Sequence, residues 1–79
     1  MKSDFALWLK DNTEYQPRVQ SDIVSRVKRA DGILPLPQIS DMYYLFRLQQ
    51  EDNYKALSTS VRSQLKKAIT IYFAYLDTK

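Results

Sequence analysis

Ser58–Leu76 reads STSVRSQLKKAITIYFAYL, and its spacing decides the fold. Val61, Leu65, Ala68, Ile69, Tyr72, Phe73 and Leu76 recur at i, i+4, i+7, i+8, i+11, i+12 and i+15. That is the stripe on one side of an α-helix, not the two-residue alternation of a half-buried strand. Ser58 stands just ahead of the stripe, where a hydroxyl N-cap accepts an otherwise unpaired backbone N–H of the first turn. A helix with such a stripe needs other elements to cover it, and the rest of the chain supplies three.

The first spans about residues 4–12, with Ser3 as N-cap, Asp4 at the positive helix end, and Phe5, Trp8 and Leu9 on one side. The second opens at Pro17, whose fixed φ and missing N–H suit the first helical position. Its seam is Val19, Ile23, Val27 and Ala30, and Asp31-Gly32 predicts a left-handed stop after Ala30. The third runs from Ile39 or Asp41 to Gln50, with Met42, Tyr44, Leu45 and Leu48 inward and Tyr43 and Phe46 on flanking faces. Between the second and third, Ile33-Leu34-Pro35-Leu36-Pro37 is forced into an extended path by its alternating prolines. Leu34 and Leu36 either close the core from one side or form a recognition strip of the polyproline type. Glu51-Asp52-Asn53 interrupts the pattern, and Tyr54 to Leu57 leads into the last helix. No stretch alternates with period two between turn residues. The prediction is an all-α, compact bundle of four to five helices.

The chain has 79 residues, enough for one core and one domain, either complete or the N-terminal part of a longer protein. At this mass a folded chain exposes about 5,000 Å², against about 13,000 Å² unfolded. A hydrophobic share of 44% with 27% charged residues is a globular composition. There is no Cys and no His, which removes disulfides, the usual zinc ligand sets, Cys–His and Ser–His nucleophile pairs and imidazole bases. Gly32 is the only glycine, so no glycine-rich turn can cradle a phosphate or a dinucleotide. No apolar run approaches the ~20 residues that span a bilayer, and no signal-type start is present. The expectation is a cytoplasmic, non-catalytic protein without cofactor, metal or small-molecule substrate. A carboxylate pairing of Asp41 with Glu51 or Asp52 is the only enzymatic alternative, and no metal-ligand spacing supports it.

Net charge is +3, and its distribution says more than its size. At about 100° per residue, Arg18, Asp22, Ser25, Arg26 and Arg29 fall opposite the second helix's seam, with Lys28 to the side. Asp22 is placed to pair with Arg18 and Arg26 at i,i+4 spacing, which neutralises part of that face. On the last helix Arg62, Ser63, Lys66, Lys67 and Thr70 lie opposite the stripe, and no carboxylate occurs between Asp52 and Asp77. Cations, hydroxyls and the helix N-terminus at Ser58, Thr59 and Ser60 together suit phosphate oxygens, while the same residues also make an ordinary solvated face with a hydroxyl cap. Tyr15, Tyr43, Tyr44, Tyr54, Tyr72 and Tyr75 offer either stacking surfaces for unpaired bases or packing, with Tyr44 and Tyr72 burying the ring and keeping the hydroxyl wet. A tyrosine nucleophile would need an activating Arg/His cluster, and without His it is excluded.

Two segments carry a resemblance. Leu57–Leu76, with its Leu-Ser cap before Val61-Arg62 and its terminal aromatic-x-x-Leu, resembles the last core-binding helix of phage integrases and other tyrosine recombinases. Phe5-x-x-Trp8-Leu9 followed by Tyr15 is similar to that family's opening Phe-x-x-Tyr-Leu. The resemblance covers most of the chain and implies a SAM-like domain that clamps one side of a DNA duplex. It places the contact surface on Ser58, Thr59, Ser60, Arg62, Ser63 and Lys66, with Lys67 adjoining and Arg18, Arg26 and Arg29 from the second helix. The Asp31–Pro37 strap departs from the family pattern, and the catalytic domain is missing, so strand cleavage is not implied.

The expected function is therefore binding of double-stranded DNA, with five to seven phosphate contacts and a log–log salt slope of about −4 to −6. The alternative is a protein-interaction or oligomerisation module of a mobile-element or restriction-related protein, with Tyr43 and Phe46 as its contact patch.

Overall fold

Four helices cover the stripe, which lies on a fifth. The computed structural model describes residues 3–78, in which α1 (Ser3–Asn12), α2 (Pro17–Ile33), α3 (Tyr43–Gln49), α4 (Asp52–Lys55) and α5 (Thr59–Leu76) follow one another without a strand. The side chain of Ser3, expected as the N-cap of α1, lies outside the described residues, and its backbone is already helical.

The central element is α5. Leu65, Ala68, Ile69, Tyr72, Phe73 and Leu76 are buried as the spacing requires, Val61 is half-buried, and Tyr75 is buried beside them. Phe5 and Leu9 of α1, Ile23, Val27 and Ala30 of α2, Tyr44 and Leu48 of α3, and Tyr54 of α4 complete the same core. Phe5 meets the ring of Tyr72 edge-on at 5.0 Å, and Trp8 covers Tyr75 at 5.7 Å, so α1 is held to α5 by aromatic contacts. The chain exposes 5287 Å², close to the expectation from its mass. Ser58 caps α5 as expected, its Oγ accepting the Val61 N–H at 3.3 Å. Ser58→Ala is expected to cost about 1 kcal/mol, measured as a lowered midpoint of thermal or urea unfolding.

Five expectations need correction. The second helix does not stop at Asp31-Gly32: it continues to Ile33, and Gly32 has no positive φ. Pro35 ends it instead, because proline drives its predecessor out of the helical region, and Leu34 accordingly adopts φ −145°, ψ 117°. Asp31 has a different task, since its Oδ1 accepts the Leu36 N–H at 2.9 Å and ties the strap back to the helix end. Leu34 and Leu36 are half-buried against the core, which favours the packing reading of the strap over the recognition strip.

The third helix starts later than Ile39 or Asp41. Asp41 Oδ1 accepts the Tyr43 N–H at 3.0 Å, so its carboxylate caps the helix from outside. Met42 then sits at the boundary, 59% exposed, instead of pointing inward; Leu45 is half-buried, and Tyr44 and Leu48 are buried. The break at Glu51-Asp52-Asn53 shrinks to Glu51, and Asp52–Lys55 forms the single turn α4. That turn carries Tyr54 into the core, where its hydroxyl donates to the Arg62 carbonyl at 3.0 Å.

Finally, the Tyr44 hydroxyl is not wet. It donates to the Leu34 carbonyl at 2.6 Å, just past the end of α2, and lies 3.3 Å from the Ala30 carbonyl, which already accepts the Leu34 N–H.

Candidate nucleic-acid interface

The site rests on how α2 and α5 pack. Their apolar seams share one core, and Ile23 of α2 and Ala68 of α5 both line a groove of about 170 Å³ between the two helices. Arg26 contributes from α2 and Lys67 from α5, one on each bank. Two cations that the chain separates by some forty positions therefore face one space, the step that helical spacing alone cannot supply.

The geometry of each helix explains the arrangement. Arg26 lies roughly 100° from Val27, on the flank turned toward α5, which leaves it half-buried. Arg29 and Arg18 follow on the outward arc of α2, both exposed, with Asp22 exposed between them. Lys67 occupies the α2-facing flank of α5 one turn from Gln64 and Ile71, which line the same groove. Val19, expected in the seam, is 38% exposed because it forms part of the groove wall instead. Ser60, Ser63 and Thr70 lie exposed on the outer arc of α5, and the Thr70 hydroxyl donates back to the Lys66 carbonyl at 3.0 Å.

Arg62 does not belong to this face. It lies roughly 140° around α5 from Lys67, on the flank next to α4. Its Nη2 donates to Thr59 Oγ1 at 3.1 Å, its Nε is buried without a hydrogen-bond partner, and the residue is half-buried. Burial pushes the Tyr54 hydroxyl above its ordinary pKa while the Arg62 charge pulls it down, so guanidinium and phenol are electrostatic neighbours. The expectation that Arg62 faces solvent opposite the stripe is thus corrected: its place one position after Val61 brings it onto the edge of the core. Lys66, also offset toward that flank, remains exposed.

The hydroxyls at the start of α5 divide as well. Ser58 uses a lone pair for its cap and Thr59 accepts from Arg62, while Ser60 and Ser63 are exposed. Asp41 Oδ1 accepts the Tyr43 N–H at the start of α3, and Glu51 stands at the N-cap position of α4. Among the described residues no group of three or more His, Cys, Asp or Glu could hold a metal ion, and no helix is long and apolar enough to cross a membrane.

Sequence reasoning missed Tyr44, Asp31 and Tyr54 as organisers of the helix ends. The signal for Asp31 was present, since an acidic residue five positions before an extended Leu-Pro is well placed to cap the turn; for the tyrosines nothing local distinguishes a hydroxyl that meets a carbonyl from one that meets water. The chain matches no protein-family model, no curated protein and no solved structure.

Proposed function

We propose that this chain is a non-catalytic, cytoplasmic DNA-binding domain that grips duplex phosphates through the outward side of α2 and the adjoining flank of α5, in the manner implied by its resemblance to the SAM-like core-binding domain of tyrosine recombinases. The observation that carries the reading is the single groove shared by Arg26 and Lys67, with Arg18 and Arg29 continuing the cationic arc. Exposed Ser60 and Ser63 supply neutral donors for non-bridging phosphate oxygens, and Lys66 extends the charge along α5. Arg62 serves the α4–α5 junction, so it is a positioning residue for the helix that carries Lys67.

The double variant Arg26→Ala/Lys67→Ala tests this directly. Loss of two phosphate contacts is expected to weaken affinity for any short duplex about 60-fold at about 0.1 M salt, with an unchanged circular-dichroism spectrum. Fluorescence anisotropy with two unrelated duplex sequences checks it, and equal affinity of variant and parent sinks the assignment.

One observation favours a second reading, a self-association module. Ile39 and Met42, together with Tyr43 (63%) and Phe46 (55%), are largely exposed, and the two rings stack on each other at 5.5 Å. Exposed large apolar side chains near one another in the chain are a usual mark of a contact surface, and a stacked pair is readily self-complementary about a two-fold axis. Sedimentation at the highest attainable concentration should then show a salt-insensitive dimer that Tyr43→Lys/Phe46→Lys converts to monomer. A parent chain that stays monomeric rejects this reading.

A further inference from the structure

We propose that the α2–α5 groove takes one unpaired base, so that the preferred ligand is a duplex with a base displaced from its stack and not a perfectly paired one. This rests on the DNA-binding reading and specifies the substrate class of the same face.

The walls argue for a ring. Val19, Ile23, Ala68 and Ile71 make them apolar. The volume of about 170 Å³ is that of a single small ring system, since an apolar cavity of about 150 Å³ accommodates benzene. A base pair is too large for it, and a phosphate gains nothing from apolar walls.

The rim argues for a nucleotide over a plain apolar side chain. Arg26 and Lys67 both line the groove, and guanidinium and ammonium groups bind the phosphate oxygens that flank a base strongly. Gln64 and Tyr15 also line the groove, and each both donates and accepts hydrogen bonds, which suits a base edge and would be wasted on a leucine or phenylalanine anchor. The combination of apolar walls, polar edge readers and flanking cations is the pattern by which proteins hold extrahelical or single-stranded bases.

The test uses three short duplexes of otherwise identical sequence: fully paired, carrying one unpaired thymidine, and carrying an abasic site in place of that thymidine. The bulged duplex is expected to bind about tenfold tighter than the other two, which bind alike. Methyl resonances of Val19, Ile23 and Ile71 should shift with the bulged duplex and stay in place with the paired one. Equal affinity for all three, with the salt dependence of phosphate binding intact, overturns the base-binding inference and leaves the duplex reading standing. Failure of every duplex to bind removes both; a leucine-bearing acidic peptide that then shifts the same methyls would assign the groove to a protein segment.

Discussion

Tyr44→Ala is expected to cost about 3–5 kcal/mol of stability, and Tyr44→Phe about 1–2 kcal/mol without changing the fold. Tyr44 is completely buried, its ring set edge-on to Phe73 at 6.0 Å. Removing the ring leaves a cavity between α3 and α5, and an aromatic-to-alanine change in a core costs about 3–5 kcal/mol. A chain of this size has only about 4–12 kcal/mol of total stability, so the loss is a large fraction of it. The phenylalanine variant keeps the ring and isolates the hydroxyl. The Leu34 carbonyl then loses a donor at 2.6 Å, whereas the Ala30 carbonyl keeps the Leu34 N–H at 2.9 Å. Urea unfolding followed by circular dichroism separates the two costs. A Tyr44→Phe midpoint equal to that of the parent would show that water replaces the phenol at the end of α2 and that the bond is not needed.

The same residue sets a pH limit. Burial, reinforced by the Asp31 carboxylate and partly offset by the Arg47 guanidinium, raises the Tyr44 hydroxyl well above its ordinary pKa of 10.0. The folded state therefore holds the proton more tightly than the unfolded chain does. This contribution is complete below about pH 10 and is lost progressively above it, as unfolded tyrosine ionises first. Stability of the parent should fall as pH rises from 10, and Tyr44→Phe should show a shallower fall. Tyr54, raised by burial as well, accounts for part of the remaining slope.

DNA affinity should follow a steep salt law. Arg18, Arg26, Arg29 and Lys67, with Lys66 at the margin, offer four or five phosphate contacts once Arg62 is withdrawn. The log–log slope is then about −4, at the shallow end of the range that the sequence suggests, and raising salt from about 50 to 200 mM should weaken binding about 250-fold. Each of Arg26→Ala and Lys67→Ala should reduce the slope by about 0.9. Arg62→Ala should leave the slope unchanged and lower the melting temperature, because the α4 flank loses its half-buried guanidinium and the Thr59 contact. A slope near zero, or a slope that changes with Arg62 and not with Lys67, contradicts the placement of the interface.

These two results divide along the line between local and tertiary information. The stripe from Val61 to Leu76, the cap at Ser58 and the start of α2 at Pro17 were legible in the chain itself. Side-chain periodicity, a hydroxyl's reach to the N–H three residues on, and a proline's fixed φ are properties of a few consecutive residues. The all-helical class followed from them, because amphipathic helices joined by short connections have no other way to bury their seams.

What lay beyond the chain's local pattern was every match between distant residues. Gly32 looked like a helix stop, yet nothing required its left-handed freedom once Pro35, three positions on, ended the helix. Tyr44 was expected to bury its ring and leave its hydroxyl wet, but packing brought that hydroxyl to the Leu34 carbonyl. Arg62 and Lys67 were both expected opposite the stripe, yet at about 100° per residue they stand roughly 140° apart, and Arg62 falls at the stripe's edge beside Ile69 and Phe73. Placing α4 against one flank of α5 and α2 against the other folded Arg62 into a junction and set Lys67 across a groove from Arg26. Helix geometry acts over one turn, whereas the direction in which a charge finally points is decided by which helix packs beside it.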